Sequence, residues 1–324
     1  MKRWWIGRVF GIAILGAVSP NANCQEFATV DMEPDAVGPN VGSQPRTARE
    51  RLDLGNHEAE DPIEGDVESG PSIWVSLGLE YTSAYFSRGF LYEDDGLILQ
   101  SWADVGVPVY ENDDVSLELL LGVWNSWHDA ATDSGTDDSF REKWYETDLY
   151  LGLGTGTGDW YFEANYYWYT SPSDAWETIQ EIYFSAAYDD SESLGDWSLQ
   201  PTAILAIETV NANDGYARGT YLQLGVSPGF GFDEGSLEWL EITFPASVGL
   251  SLSNYYEGDD GENDLYGFAS VGVTGTMAVP FGESWGDWSI YAGVQGLFLG
   301  DTASSWNGGD KTETVATIGV SVDF

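Results

Sequence analysis

The chain is short of almost everything that soluble catalysis or nucleic-acid binding draws on. Eleven Lys plus Arg stand against 54 Asp plus Glu, a formal net charge of −43, and without a basic face to displace counterions nucleic acid is excluded as a partner. The two histidines are His57 and His128 and the single cysteine is Cys24, too few for a histidine or cysteine metal centre. Ser126 beside His128 is the one local pair with the makings of a hydrolytic dyad, and a hydrolase would need a polar orienter as well, so no catalytic residue is expected. Nor does any segment after the amino terminus hold the roughly 18 to 20 consecutive apolar residues that a spanning helix needs. If this chain crosses a membrane, it does so as strands.

What it has in abundance is aromatic side chains, 15% of all residues, and 39 glycines. That mixture suits many strands joined by tight turns. The mean hydropathy of −0.22 does not argue against a membrane, because outward apolar and inward polar residues cancel in a barrel.

The amino terminus reads as an export signal over residues 1–24. Lys2, Arg3 and Arg8 precede the apolar core Val9–Val18, and Ala22 and Cys24 are the small residues of a cleavage site. A lipid anchor on Cys24 is the rival reading. Residues 25–72, rich in proline, glycine and acid, form a disordered acidic linker.

From Ile73 the sequence alternates apolar and polar residues in stretches of about 10 to 14, broken by Gly and Asp, which is the spacing of membrane strands. Trp74–Tyr85, Val115–Trp127, Lys143–Gly154, Asp159–Thr170, Trp197–Glu208 and Thr312–Phe324 are the clearest. With the weaker stretches between them about twelve strands result, so residues 73–324 are read as an all-β, transmembrane, antiparallel up-and-down β-barrel. The tripeptide Gly-Asp-Trp recurs at Gly158, Gly195 and Gly286, and it places three turns with interfacial tryptophans on one rim. An open sheet edge in lipid leaves backbone groups unpaired, so the last stretch must pair with the first. Its apolar face, ending in Val320, Val322 and Phe324, has the form of a signal for the barrel-assembly machinery. The mature chain is then expected in the bacterial outer membrane, surrounded by its lipid, with both termini periplasmic.

Side-chain parity sends Glu80, Glu118, Glu146, Asp148, Glu163, Glu208 and Glu241 inward, with Asp104 and Asp323. After Ser72 the basic residues are Arg88, Arg141, Lys143, Arg218 and Lys311, most of which fall in loops or at strand ends, so the lumen is expected to favour cations. Tyr150, Tyr161, Tyr167, Tyr169 and Tyr183 also point inward and would constrict it. The acidic loops Glu257–Asp264 and Asn211–Gly215 are candidates for weak divalent-cation binding, although neither has the EF-hand spacing. No cofactor is implied.

Four phrases, YTSAYFSRGF (Tyr81–Phe90), GVWNSW (Gly122–Trp127), ETDLYLGL (Glu146–Leu153) and YYWYTSP (Tyr166–Pro172), resemble in that order the TorF-type porins of proteobacteria. The resemblance covers Trp74–Tyr188 by phrase and the remainder by architecture alone. It implies an outer-membrane barrel with a passive transport role and supplies no catalytic residues. The expected function is a narrow, cation-preferring diffusion pore for small hydrophilic solutes. The alternatives are a non-conducting structural or adhesive barrel and a secreted carbohydrate-binding β-protein.

Overall fold

The computed structural model describes residues 73–112, 114–129, 140–211, 217–232, 239–258, 261–279 and 285–324. The expected export signal and linker lie outside these residues, as do most of the acidic loop after His128 and parts of the two acidic loops considered for cations.

Twelve strands close into one antiparallel ring. They are β1 (Trp74–Thr82), β4 (Ile98–Glu111), β5 (Val115–His128), β6 (Trp144–Thr157), β7 (Trp160–Thr170), β8 (Ile179–Tyr188), β9 (Thr202–Val210), β10 (Thr220–Val226), β13 (Ala246–Ser253), β14 (Tyr266–Val279), β15 (Asp287–Leu299) and β16 (Thr312–Asp323). Each pairs with its predecessor in this series, and β16 returns to β1 with Ser76 opposite Asp323 and Thr82 opposite Thr317. Two further short strands, β11 (Gly229–Gly231) and β12 (Leu240–Thr243), prolong β10 and β13 past Pro228 and Pro245. Proline donates no ladder hydrogen bond, so the strands break there and resume.

Alternation does the sorting. Leu149, Leu151 and Leu153 on β6 are exposed on the outside, with Asp148 and Tyr150 at alternating positions lining the inside. The same holds for Leu77 and Leu79 against Ser76 and Glu80 on β1, and for Ile182 and Phe184 against Tyr183 on β8. The result is a belt of exposed apolar side chains around the outer face.

The two rims differ. One carries the turns between β4 and β5, β6 and β7, and β14 and β15, together with the residue ranges 189–201 and 227–245 and both ends of the barrel chain. All three Gly-Asp-Trp sequences lie on this turn rim, as expected. The middle one does not open a strand, however. Gly195–Trp197 is a 3-10 turn, Trp197 is 83% exposed, and β9 starts five residues later at Thr202.

The larger correction concerns the first strand. It ends at Thr82 rather than Tyr85, and the chain then forms a separate two-stranded hairpin of β2 (Tyr85–Ser87) and β3 (Phe90–Glu93). Arg88 (φ 46°) and Gly89 (φ 91°) make its turn, both left-handed, as a two-residue hairpin of the primed type requires. For Arg88 that conformation costs about 1–2 kcal/mol, and its partners in the barrel offset it.

Candidate functional site: the lumen

The hairpin does not stand above the barrel. It folds into it. Tyr85, Ser87, Arg88 and Phe90 are buried, and their partners come from around the ring. The Tyr85 hydroxyl donates to Glu146 Oε2 on β6 at 2.7 Å. The Arg88 guanidinium grips Glu181 on β8 with two bonds of 2.8 Å, donates to the Tyr255 hydroxyl at 2.9 Å and lies 4.6 Å over the ring of Tyr221 on β10. The Tyr256 hydroxyl donates to the Arg88 carbonyl at 2.7 Å, and the Phe90 ring sits 5.4 Å from that of Tyr256. The hairpin therefore crosses the lumen and fills it at the loop rim. Arg88, expected in a loop, is the one basic side chain lining the interior chamber among the described residues.

Below the hairpin a chamber of about 970 Å³ opens toward the turn rim, its roof made by Ala84, Tyr85, Phe86, Arg88 and Gly89. Among the described residues the hairpin thus caps the chamber on the side away from the turn rim.

Every carboxylate expected inside points inward, but the carboxylates do not form an open ring. Glu80, Asp104, Asp148, Glu163, Glu241 and Asp323 line the chamber, whereas Glu118, Glu146 and Glu208 are engaged by neighbouring donors beside it. Glu118 accepts from Trp74 Nε1 at 2.6 Å and from the Tyr161 hydroxyl. Glu208 accepts from the Gly219 N–H and stands opposite Glu181 in register, so two acids adjoin, of which Glu181 takes the Arg88 guanidinium. Three of the five tyrosines expected to narrow the lumen are hydrogen-bond donors to acids: Tyr150 to Asp104 at 2.7 Å, Tyr161 to Glu118 and Tyr169 to Glu181 at 2.9 Å. Tyr291, which the sequence did not single out, donates to Glu80. Tyr150 and Tyr167 line the chamber with rings stacked 5.0 Å apart, whereas Tyr161 and Tyr169 are buried in the wall.

This pairing has an electrostatic consequence. A phenol supplies an O–H but no positive charge, so it solvates a carboxylate without cancelling it.

Solved structures similar to the chain include an outer membrane channel from Pseudomonas putida F1 (14% identity, covering 82% of this chain and 99% of that one, TM-score 0.45) and the NanC porin (11%, 76% and 98%, 0.37). Outer membrane phospholipase A from Escherichia coli is another (11% identity, 84% of this chain and 96% of that one, TM-score 0.40). No protein-family model and no curated protein matches the sequence.

Ser126 and His128 do meet, with Oγ and Nε2 2.9 Å apart on adjacent inward positions of β5. The rings of Tyr85 and Tyr145 pack on the imidazole, and Ser126 is 0% exposed. At the end of β16, Phe324 is half exposed on the outer face, and its backbone pairs with Val75 through bonds of 2.9 and 3.1 Å.

Proposed function

We propose that the chain is a bacterial outer-membrane barrel of the porin type, as its resemblance to TorF-type porins suggested. It takes small cationic solutes into its lumen from the turn rim and passes them only when the β2–β3 hairpin leaves its seat. One observation carries this reading: a closed ring of strands with an exposed apolar belt outside and an acidic chamber inside. Lipid covers such a belt, and water and counter-cations fill such a chamber. In this reading the barrel-assembly machinery inserts the chain with its turn rim, and so both ends of the barrel, facing the periplasm. The hairpin and the longer loops then face outward.

The gate follows from the Arg88–Glu181 pair. Removing one partner of a buried ion pair leaves the other charge uncompensated, at a cost of about 3–5 kcal/mol, so Arg88→Gln should unseat the hairpin without touching the barrel ladder. In planar bilayers under a salt gradient the parent is expected to show a small conductance of cation-selective sign. Arg88→Gln should raise the conductance several-fold and keep the sign. The seated hairpin equally suits a non-conducting structural barrel, and a well-folded Arg88→Gln variant that stays silent would establish that reading instead. Anion selectivity would defeat the charge argument.

A further inference from the structure

We infer that the closed end of the chamber is a binding site for a small primary ammonium compound, seated against the Asp148 carboxylate beneath the hairpin. The inference rests on the reading of the lumen as a compartment for cationic solutes and names the chemistry that it selects.

The observation behind it is a set of polar atoms without partners in one place. Asp148 lines the chamber and is 2% exposed, and no N–H or hydroxyl of the chain reaches its Oδ1. Glu146, two residues along the same inward face and 1% exposed, spends Oε2 on Tyr85, and no N–H or hydroxyl reaches its Oε1. Trp124 stands directly opposite Asp148 in the β5–β6 register, lines the chamber, and has an indole N–H without a partner. Buried polar atoms are nearly always satisfied, so three orphans facing each other across one strand pair mark a place where something else supplies the bonds.

The side chains decide what it is. Two carboxyl groups call for a cation. Arg88 is already committed to Glu181 by both terminal nitrogens. A hard metal ion takes six or more oxygen ligands, and among the described residues no group of three or more acidic, histidine or cysteine side chains is arranged to hold one. The walls are instead aromatic: Trp124 and the stacked pair Tyr150 and Tyr167. Ring faces attract an organic ammonium. A lone carboxylate oxygen needs an N–H donor, which a primary ammonium carries and a quaternary one lacks. The free indole N–H favours a ligand with an oxygen beside the amine. A chamber of about 970 Å³ holds such a molecule readily.

The test uses the folded barrel in detergent micelles, titrated with ethanolamine while heat and tryptophan fluorescence are followed. Because binding is read without a bilayer, its failure is distinguishable from failure of the pore. Saturable binding of ethanolamine is expected, tighter by about ten-fold or more than that of tetramethylammonium or ethylene glycol, a difference well within one charge-assisted hydrogen bond. Asp148→Asn and, separately, Glu146→Gln, each confirmed as folded by its gel mobility before boiling, should weaken it by a similar factor. The comparison among the three probes needs no variant, so it decides the matter even if both substitutions prevent folding. The competing arrangement is a proton shared between Glu146 and Asp148, whose carboxyls lie within hydrogen-bonding reach of each other. It predicts no saturable binding of any probe, and that result would overturn the proposal. Equal affinity for ethanolamine and tetramethylammonium, or ethanolamine binding unchanged in both folded variants, would overturn it as well.

Discussion

At Gly122 the chain has no side chain because a ring already occupies the space. A Cβ there would lie 2.0 Å from Tyr150 Cε1 and 2.6 Å from Asp104 Oδ1. Tyr150 is pinned by its bond to Asp104 and its stack on Tyr167, so it cannot give way cheaply. The same arrangement recurs at Gly319, where Tyr291 lies over the backbone with its hydroxyl on Glu80. Inward glycines thus seat inward rings, a device that satisfies strand packing where a glycine alone would weaken it. Gly122→Ala is expected to destabilise the barrel by about 1–3 kcal/mol through overpacking, seen as a lower urea midpoint in micelles; an unchanged midpoint would mean that the ring moves freely. Little of this was legible beforehand. Parity sent Tyr150, Tyr161, Tyr167 and Tyr169 inward correctly, because a strand's period fixes its faces. Which acid each phenol meets depends on the neighbouring strand's register, which parity does not contain. The glycines read only as turn formers.

The hairpin of β2 and β3 is the element that sequence periodicity misplaced, and the reason is physical. Tyr85 and Ser87 continue the alternation of β1, so nothing local marks the departure at Thr82. The information lies in the partners, Glu181 and Tyr255, which stand 93 and 167 residues away from Arg88. A second element shows order imposed by one side chain. Asp190, at the end of β8, accepts from the Ser198 hydroxyl at 2.6 Å and from the backbone N–H groups of Leu199 and Gln200 at 3.0 Å. Burial pushes its carboxyl up, but these hydrogen bonds outweigh burial and hold it below the usual carboxylate range. With the folded value depressed, the stabilisation is present above the unfolded value, about 3.9, and is lost as pH falls through the lower folded value. Hydrogen exchange at the Leu199 and Gln200 amides, corrected for its intrinsic pH dependence, should therefore accelerate only below about pH 4. In Asp190→Asn it should be fast at every pH. Equal protection in that variant would show that the connection is held by other contacts.

Over the whole molecule the outer belt sets the environment. Leu151 sits mid-strand on β6 between Leu149 and Leu153, all exposed. Leu151→Arg should cost about 2–4 kcal/mol if that face meets the middle of a bilayer, and it should reduce the amount of heat-modifiable barrel recovered in outer-membrane fractions. A soluble barrel would tolerate the change, and normal recovery would remove the membrane from the account. The closed twelve-strand ring was legible in the sequence because strand spacing, glycine breaks and the apolar face of Ala316–Phe324 all follow from the strand period. The capped end was not, because it depends on what a loop does after the ring exists. That dependence also orders events in time. The seam joins Ser76 to Asp323, and contacts so distant along the chain form late, since a long loop must close before they repay its entropy. The hairpin leaves β1 at this seam, yet its seat is built from β6, β8, β10 and the residues before β14. Arg88 therefore finds its seat only once chain 93 and 167 residues away has arrived. By the same rule the stopper forms late rather than early, a property of the assembled sheet and not of the local hairpin.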